Sequence, residues 1–438
     1  MGVFLLIWLG QLIYMISSSM TGFALDISVF QRTGSATQFA LLTISCSLPL
    51  IIISPFAGAL VDRWDRRWTM IFCHCSTAIC TLTLLTLLTV DHVEIWQIYL
   101  RNALTSIIGA FHGPAYKASI TSLVPKDDLT RASGMVQLGM GIQQIIAPLL
   151  AGFLLLVIQI RGILLIDAIS LVAALTPLLL IRFASHNQLQ PTDSQSSSLW
   201  QDTLYGWQYL QQMPGLLSLL VLYTLYQFLI GFVGVLSYPL ILCVTDASNV
   251  GKIVFVSGVG MIISATLISS VRNHWKNLSE ALLIAICLSG IWICLAGFRP
   301  SVLEMAIANL LFFVTAPFIS STVQVIFQKK VLPSVQGRVF ALMGAISSTA
   351  VPIAAGIAGP LADHVFEPLM SFDGPWSTQL IGQILGSGPG RGIGLLFVLV
   401  GCCLSFTGII AYQYSPIRQL EETYPTLEST NQLNPVTK

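Results

Sequence analysis

The chain alternates long apolar runs with short polar breaks, and twelve of the runs are long enough to cross a bilayer. A transmembrane helix needs about 20 residues, and backbone groups in lipid must be bonded within helices or a closed barrel. The runs lack the two-residue alternation of barrel strands, so the pattern predicts helices. We place the spans at residues 4–29, 36–61, 68–90, 95–117, 132–158, 162–182, 216–242, 250–271, 279–298, 302–328, 337–363 and 392–414.

A polar segment rich in Ser and Gln, residues 184–198, separates the sixth run from the seventh. After it, Trp200, Leu204, Trp207 and Leu210 recur at helical spacing, which predicts a helix lying on the membrane surface. The chain therefore divides into a six-helix half at 1–183, a linker with an interfacial helix at 184–215, a second six-helix half at 216–415 and a tail at 416–438.

The composition agrees with a membrane protein, since 55% of the 438 residues are hydrophobic, 9% are charged and the mean hydropathy is +0.81. A soluble domain would expose too much apolar surface with this composition. The net charge of +1 excludes a broad basic surface for nucleic acid. The first span begins almost at Met1 and many spans follow, so we expect no cleaved signal peptide. The nine cysteines lie within apolar runs without CxxC pairs, which indicates neither a metal site nor a disulfide framework.

The basic residues fix the expected orientation. With twelve spans, fourteen of the 20 Lys and Arg residues fall on the side of the even-numbered loops and the termini, five fall on the other side, and Arg101 lies within a span. Cytoplasmic loops carry the excess of Lys and Arg, so both termini are expected in the cytoplasm.

The break between the second and third spans has an unusual order of Gly, acid and base, Gly58-Ala-Leu-Val-Asp-Arg-Trp-Asp-Arg-Arg67. This pattern, G-x-L-[VA]-D-R-x-[GD]-R-[KR], resembles the signature loop of the major facilitator superfamily. The resemblance implies two six-helix repeats in the same membrane orientation and transport by alternating access. We therefore expect an all-α membrane protein with the twelve-helix major facilitator fold.

The two halves also repeat in sequence. The pair Pro125 and Arg131 after the fourth span has counterparts in Pro333 and Arg338 after the tenth. In the fifth and eleventh spans, small residues follow a proline and suit close helix packing or a hinge. These helix-packing and hinge candidates are Pro148, Gly152, Pro352 and Gly356.

Four local features are similar to the macrolide-efflux-like branch of the drug/proton antiporters: the turn at 31–35, Asp65 in the loop, and the segments 111–114 and 336–340. The resemblance implies export of lipophilic compounds driven by the proton gradient. The chain departs from the branch in its fifth span, where Ala147-Pro-Leu-Leu-Ala-Gly152 stands for the antiporter pattern G-P-x-x-G-G. Asp65 itself occupies a position that is Gly in most of the superfamily.

Three charged residues within the spans are candidates for proton coupling: Asp26, Arg101 and Asp167. Charges are costly within a bilayer, so each is a functional candidate by default. Arg101 with Asn102 resembles the span-four arginine motif of the superfamily, which implies proton coupling or a carboxylate partner. The two aspartates are the acids available to it in the outer half, and a purely structural ion pair remains an alternative. A solvated acid near Arg32 is the alternative for Asp26.

The resemblance assigns the signature loop the role of a gate latch between the second and eleventh spans, with its acid at the N-terminus of the eleventh and its arginines on acids or lipid phosphates. The latch candidates are Gly58, Asp62, Arg63, Asp65, Arg66, Arg67, Gly337 and Arg338.

Uncharged polar residues within spans either line a wet cavity or bond between helices. These candidates are Gln11, Gln143, Gln144, Gln227, Asn309 and Gln324. His112 also lies within a span and reads either as a titrating group or as a structural hydrogen-bonding group. The outer segment from His364 to Gly392 is long for this fold, and we interpret it as a partly ordered flap over the outer opening.

These observations favour a secondary active transporter, with proton-coupled export of lipophilic or amphiphilic small molecules as the leading hypothesis. An importer or proton-independent facilitator is the alternative within the fold, and a non-transporting membrane scaffold or sensor is the alternative outside it. No enzyme motif is present. We expect no cofactor beyond the proton gradient. The expected partners are a small-molecule substrate, protons and lipids, and we expect a monomer in the plasma membrane that binds no nucleic acid.

Overall fold

A computed structural model of the protein describes residues 2–61, 63–125, 128–181, 199–271, 277–299, 301–377 and 379–414. The described residues form helices and connecting turns, without strands. The helices are α1 (Gly2–Thr33), α2 (Ala36–Val61), α3 (Arg66–Thr89), α4 (Ile95–Leu123), α5 (Leu129–Val157), α6 (Gln159–Leu180), α7 (Leu199–Gln211), α8 (Pro214–Leu242), α9 (Ala247–Val271), α10 (Leu278–Phe298), α11 (Val302–Lys330), α12 (Pro333–Leu361), α13 (Glu367–Met370), α14 (Leu380–Leu385) and α15 (Arg391–Gln413).

The predicted twelve-helix architecture is confirmed, because each predicted span coincides with one long helix. Among the described residues, eleven helices are long and apolar enough to cross a membrane, and α4 is not one of them. The reason is chemical: α4 carries Arg101, Asn102, His112 and Lys117 within its length. The polar linker predicted at 184–198 lies outside the described residues. A helix follows it as α7, and its place on the membrane surface stays a prediction.

The helices cluster into two compact units. The first comprises Met1–Gln190, Ile241–Phe255 and Ala358–Asp363, so it includes the start of α9 and the C-terminal end of α12. Within it, α1 packs against α5 and α6, α3 against α4 and α6, and α2 against α4. Apolar side chains such as Met70 and Leu178 are fully buried where these helices meet.

The second unit comprises Pro191–Leu240, Val256–Ile357 and His364–Lys438. Its most extensive helix pair is α10 with α15, and α11 also packs on α10. The α10–α15 contact depends on glycine, since a Cβ atom at Gly401 would lie 2.5 Å from the carbonyl oxygen of Gly290. Two helix backbones approach this closely only where neither residue carries a side chain.

The long segment between α12 and α15, which the sequence predicts to lie on the outer side, is folded. A π-helical turn, Ala362–Phe366, precedes α13, and Met370 and Leu385 are buried in a cluster with Leu395 of α15. The carboxylate of Glu367 accepts hydrogen bonds from the backbone N–H groups of Gly390 (3.1 Å) and Ile393 (3.0 Å), which caps the start of α15. The segment is therefore packed onto its own unit, and its role as a flap stays a prediction.

Candidate functional site: a buried ion pair in the first unit

The helices of the first unit bring Arg101 of α4 and Asp167 of α6 together. Their nearest side-chain atoms, Nη2 and Oδ2, are 3.8 Å apart, and the two side chains are 8% and 0% exposed. Of the two acids that the sequence offered to Arg101, the structure pairs it with Asp167. The separation is longer than a hydrogen bond, so the pair is an electrostatic contact rather than a charge-assisted hydrogen bond.

The remaining hydrogen-bonding capacity of the pair is only partly used. The Thr81 hydroxyl of α3 donates to Asp167 Oδ2 at 3.1 Å, and Arg101 Nη1 donates to the Asn102 side chain at 3.3 Å. Arg101 Nε and Asp167 Oδ1 are buried without a hydrogen-bond partner among the described residues. A buried pair held this loosely is sensitive to any change in the charge of either member.

Asp26 of α1 is half-buried and close enough to Arg101 for the two charges to interact, although they form no ion pair. Its carboxylate makes no hydrogen bond among the described residues. Arg32, its alternative partner, is exposed at the end of α1. Arg101 therefore forms its ion pair with Asp167 and interacts with Asp26 only through the longer-range attraction of the charges.

A stripe of buried polar residues on α3 extends from Asp167 towards the signature loop. It consists of His74, Thr77 and Thr81, which are 1%, 3% and 0% exposed and share one helix face by their spacing. The side-chain nitrogen of Gln11 lies 3.0 Å from His74 Nε2, and the Tyr14 ring meets the His74 ring edge-on with centres 4.7 Å apart.

His112 of α4 completes this cluster, with its ring centre 4.8 Å from that of His74. The cluster joins α1, α3 and α4. His74 was not among the candidates from the sequence: it lies between Cys73 and Cys75, and the cysteines indicated no metal site.

The signature loop ties three helices of the first unit together. Asp65 caps α3, since its carboxylate accepts from the Trp68 N–H at 2.9 Å. Arg66 donates to the carbonyl of Ala118 at 2.8 Å, and Arg67 donates to those of Leu178 (2.6 Å) and Leu179 (2.9 Å). The carbonyls of Leu178 and Leu179 lie in the last turn of α6, where backbone acceptors have no partner within the helix and cations are favoured. Ala118 lies near the end of α4.

The other latch candidates lie at several places. Gly58 is within α2 and has no neighbour within 4 Å of its would-be Cβ atom, Arg63 is exposed in the turn, and Asp62 lies outside the described residues. In the second unit, Gly337 and Arg338 belong to the first turns of α12, and the Arg338 guanidinium lies 5.0 Å from the ring centre of Tyr205 on α7.

An acid outside the predicted set makes a three-point contact in the first unit. The Asp363 carboxylate, just beyond α12, accepts from the Ser35 hydroxyl (2.6 Å) and from the N–H groups of Ala36 (2.9 Å) and Thr37 (2.8 Å). The carboxylate thus caps the N-terminus of α2, where backbone donors and the helix dipole favour a negative charge. The available sequence signal was an acid at the end of an apolar run.

The remaining candidates separate by environment. Gln11 is buried, Gln143, Gln227 and Asn309 are half-buried, and Gln144 and Gln324 are exposed. Asn309 bonds to the Met305 carbonyl of its own helix at 2.9 Å.

The hinge candidates lie within α5 and α12. Pro148 and Gly152 lie in α5, and Pro352 and Gly356 in α12. A Cβ atom at Gly152 would lie 2.7 Å from the carbonyl oxygen of Ala247, so this glycine allows α5 to cross α9 closely.

A twelve-helix membrane fold with a buried Arg–Asp pair and this signature loop indicates a membrane transporter. The sequence comparison agrees with that class. The chain belongs to the Major Facilitator Superfamily, whose family model matches residues 7–356. It is a multi-pass membrane transporter of that family.

Within the superfamily, the chain is similar to two proteins named for macrolide efflux. The chain is 30% identical over 378 residues to macrolide efflux protein A of Streptococcus pyogenes, covering 83% of this chain and 90% of the relative. It is 31% identical over 318 residues to macrolide efflux protein A of Enterococcus faecalis, covering 70% of this chain and 95% of the relative.

Among solved structures, the chain resembles a bacterial homolog of the human lysosomal transporter Spinster in an inward-facing, unoccupied conformation. The TM-score is 0.71 at 14% identity, covering 97% of this chain and 98% of that one. It also resembles the nucleoside transporter NupG, with a TM-score of 0.65 at 14% identity, covering 94% of this chain and 100% of that one. At these identities the likeness shows the fold alone.

Proposed function

We propose that the protein exports lipophilic or amphiphilic small molecules from a bacterial cell in exchange for protons. The buried Arg101–Asp167 pair carries this proposal. Burying charged side chains inside a membrane bundle costs free energy, so such residues are expected to serve a function. The relatives named for macrolide efflux support the direction of transport and the substrate class. The positive-inside count supports cytoplasmic termini, and we take the working unit to be a monomer.

Proton coupling follows from the electrostatics of the pair. When Asp167 accepts a proton, the carboxylate becomes neutral and its attraction for Arg101 is lost. The remaining charge attraction of the guanidinium is then to Asp26, the other acid with which it interacts. Proton binding at Asp167 thus changes the charge balance among α1, α4 and α6, and a substrate that prefers one of these arrangements is coupled to the proton.

The Asp363 contact gives this cycle an outer latch. Its three hydrogen bonds hold the outer end of α12 to the start of α2. We propose that this contact breaks when the transporter opens outward and forms again when the outer side closes. The signature loop would serve the opposite, cytoplasmic side in the same cycle.

A dye-quenching assay tests the proposal. Everted membrane vesicles that contain the protein are energised to form a proton gradient, reported by a quenched dye, and a panel of lipophilic compounds including a macrolide is added. We expect one or more compounds to dissipate the gradient in the wild type and not in Arg101→Ala.

The matched control is Arg161→Ala, which removes an arginine from an exposed ion pair with Asp91 (2.6 Å). This variant should retain the response, because exposed pairs contribute little. A response that persists unchanged in inserted Arg101→Ala protein would contradict the assignment of the pair. Downhill movement of a substrate without any proton flux would favour the facilitator.

A further inference from the structure

Two histidines of the first unit are in contact inside the helix bundle. His74 of α3 and His112 of α4 have ring centres 4.8 Å apart, with planes inclined by 66°. His74 is 1% exposed, and the Tyr116 ring stacks on His112 with centres 6.2 Å apart. Along the axis of α3, about 10 Å separates His74 from Thr81, the residue that bonds to Asp167. The histidine pair is therefore distinct from the Arg101–Asp167 pair.

Several polar atoms around the two histidines have no hydrogen-bond partner. The side-chain nitrogen of Gln11 contacts His74 Nε2 at 3.0 Å. Three further atoms, Gln11 Oε1, His74 Nδ1 and His112 Nε2, are buried and make no hydrogen bond with the residues that the structure describes. In a purely structural cluster such atoms are normally bonded, because a buried donor or acceptor without a partner costs free energy. Each ring therefore keeps one nitrogen available for proton transfer.

The chemistry of the cluster suits a proton in transit. Imidazole can bind a proton at one nitrogen and release one from the other. The Gln11 amide carries both a donor and an acceptor, so it can bond to His74 in either tautomer. In the described part of the chain, no carboxylate lies within ion-pair distance of either ring. A proton on the pair would be an unbalanced buried charge, so it would be passed on rather than held.

The polar stripe on α3 connects the histidines with Asp167. Thr77 and Thr81 are buried on the same face as His74, at successive spacings of three and four residues. The Thr81 hydroxyl donates to Asp167 Oδ2 (3.1 Å) and the Thr77 hydroxyl to the Cys73 carbonyl (3.0 Å), and each can still accept a hydrogen bond. The stripe thus offers the proton of Asp167 a polar path towards the signature loop.

The charged groups of this interior lie at the Asp167 end of the stripe. The titratable or charged side chains that accompany the two histidines are Asp26 and Tyr14 of α1, Cys73 of α3, Arg101 and Tyr116 of α4, and Asp167 of α6. Of these, the two acids and Arg101 form the charged group described above, and the tyrosines contact the histidine rings. The rings are thus the basic groups at the other end of the path.

We propose that His74 and His112 form a proton relay, which takes the proton from Asp167 and passes it towards the end of the bundle that carries the signature loop. The proton leaves the Asp167 carboxyl group, which becomes a carboxylate again, and binds one of the two imidazoles. It then departs from that imidazolium, which returns to its neutral form. The two rings share a single proton, because two positive charges at this distance repel each other. This inference rests on the proposed function and adds to it a second proton-binding site, on α3 and α4.

Transport in proteoliposomes tests the relay with His74→Gln and His112→Gln, since glutamine keeps hydrogen-bonding capacity but cannot take up a proton. The probe is a radiolabelled macrolide, or another compound of the vesicle panel to which the wild type responds. Its uphill transport, driven by an imposed pH gradient, is compared with its exchange across the membrane at equal pH. We expect either variant to slow the proton-driven transport by about tenfold or more and to keep the exchange within about twofold of the wild type, because exchange needs no net proton transfer.

Two further variants sharpen the test. The double variant, His74→Gln with His112→Gln, should be no slower than the slower single variant, because the two rings act in series. The matched control is His92→Gln, at an exposed histidine between α3 and α4, which should keep the wild-type rate.

The outcomes separate the relay from the proposed function. Proton-driven transport at the wild-type rate in both single variants would overturn the relay and leave the proposed function standing. Equal losses of uphill transport and exchange would also overturn the relay, because the histidines would then be structural. A wild type in which the pH gradient drives no compound of the panel would overturn the proposed function, and the relay with it.

Discussion

The two units of the protein differ in the charged and polar side chains that they bury. The interior of the first contains a charged pair, Arg101 and Asp167, and the polar stripe on α3. In the described part of the second unit, the buried charged side chains are Lys330 and Arg391, which are the terminal residues of α11 and α15. The first unit therefore carries charge at membrane depth, whereas the second keeps charge at its helix ends.

Both units combine large buried side chains with close glycine crossings, and the second unit concentrates its glycine crossings on one helix pair. In the first, large side chains such as Phe4, Leu25 and Met70 fill the space between helices. In the second, the backbones of α10 and α15 meet through glycines, and Cys287 Sγ and Ser405 Oγ bond to each other's backbone carbonyls at 3.5 and 3.1 Å. Under the proposed function, the first unit is the one in which a proton changes the internal electrostatics.

The largest expected effect is that of Arg101→Ala on the first unit. The variant leaves the Asp167 carboxylate buried without its cation, which costs about 3–5 kcal/mol in comparable sites. We expect a lower melting temperature and no gradient-driven transport. The double variant Arg101→Ala with Asp167→Asn should recover most of the melting temperature and none of the coupling. Recovery of both would show that the pair is structural.

The next effect concerns the glycine contact of the second unit. Gly401→Leu places a side chain where the Gly290 carbonyl oxygen and the backbone nitrogen of Cys294 are 2.5 and 2.8 Å from the Cβ position. Because both neighbours are backbone atoms, the helices must separate, at a cost of about 1–3 kcal/mol.

The melting temperature of the purified protein measures that cost. Gly344→Leu is the matched control, because a Cβ atom at this glycine of α12 has no neighbour within 4 Å. An equal loss in both variants would refute the close-contact account of the second unit.

A smaller effect is expected at the outer latch of the first unit. Asp363→Asn removes the negative charge that accepts from the N–H groups of Ala36 and Thr37, with a cost of about 1 kcal/mol. Hydrogen exchange of the peptide spanning residues 31–40 should become several-fold faster. Asp373→Asn, at an exposed acid of the same outer segment, should leave the exchange unchanged. Unchanged hydrogen exchange in Asp363→Asn would contradict the proposal that this contact acts as a latch.

The smallest effect is expected in the polar stripe. Gln11 and His74 are in hydrogen-bond contact inside the first unit. A double-mutant cycle with Gln11→Leu and His74→Leu should give a coupling of about 0.6 kcal/mol, the average for such pairs between membrane helices. Thermal melting of the four proteins measures it. A coupling of zero would mean that the stripe is a set of independent polar groups.

The sequence was sufficient for the span pattern, because hydropathy and helix length depend on local composition. It also identified Arg101 and Asp167 as candidates, since charged residues within apolar runs are visible without a structure. It left Asp26 and Asp167 as equal partners for Arg101, because both lie in the outer halves of their spans. Only the packing of α4 and α6 on α3 brings one of them to 3.8 Å.

The residues that the sequence missed depend on contacts distant in the chain. His74 becomes part of a polar cluster only where α1 and α4 pack against α3. The partners of Asp363 at the start of α2 are separated from it by more than 300 residues. The spacing of polar residues within one span can show which of them share a face, but it does not identify their partners on other helices. Asp363 was visible in the sequence only as an acid at the end of an apolar run.

The most direct test of the central claim is the effect of Asp167→Asn on transport in proteoliposomes. Asparagine is nearly isosteric with the carboxyl group and cannot take up a proton, so it fixes the site in its neutral state. For a compound identified in the vesicle assay, uphill transport driven by an imposed pH gradient is compared with substrate exchange at equal pH. We expect uphill transport to be lost and exchange to persist. Uphill transport at the wild-type rate in this variant would contradict the claim that Asp167 carries the coupled proton.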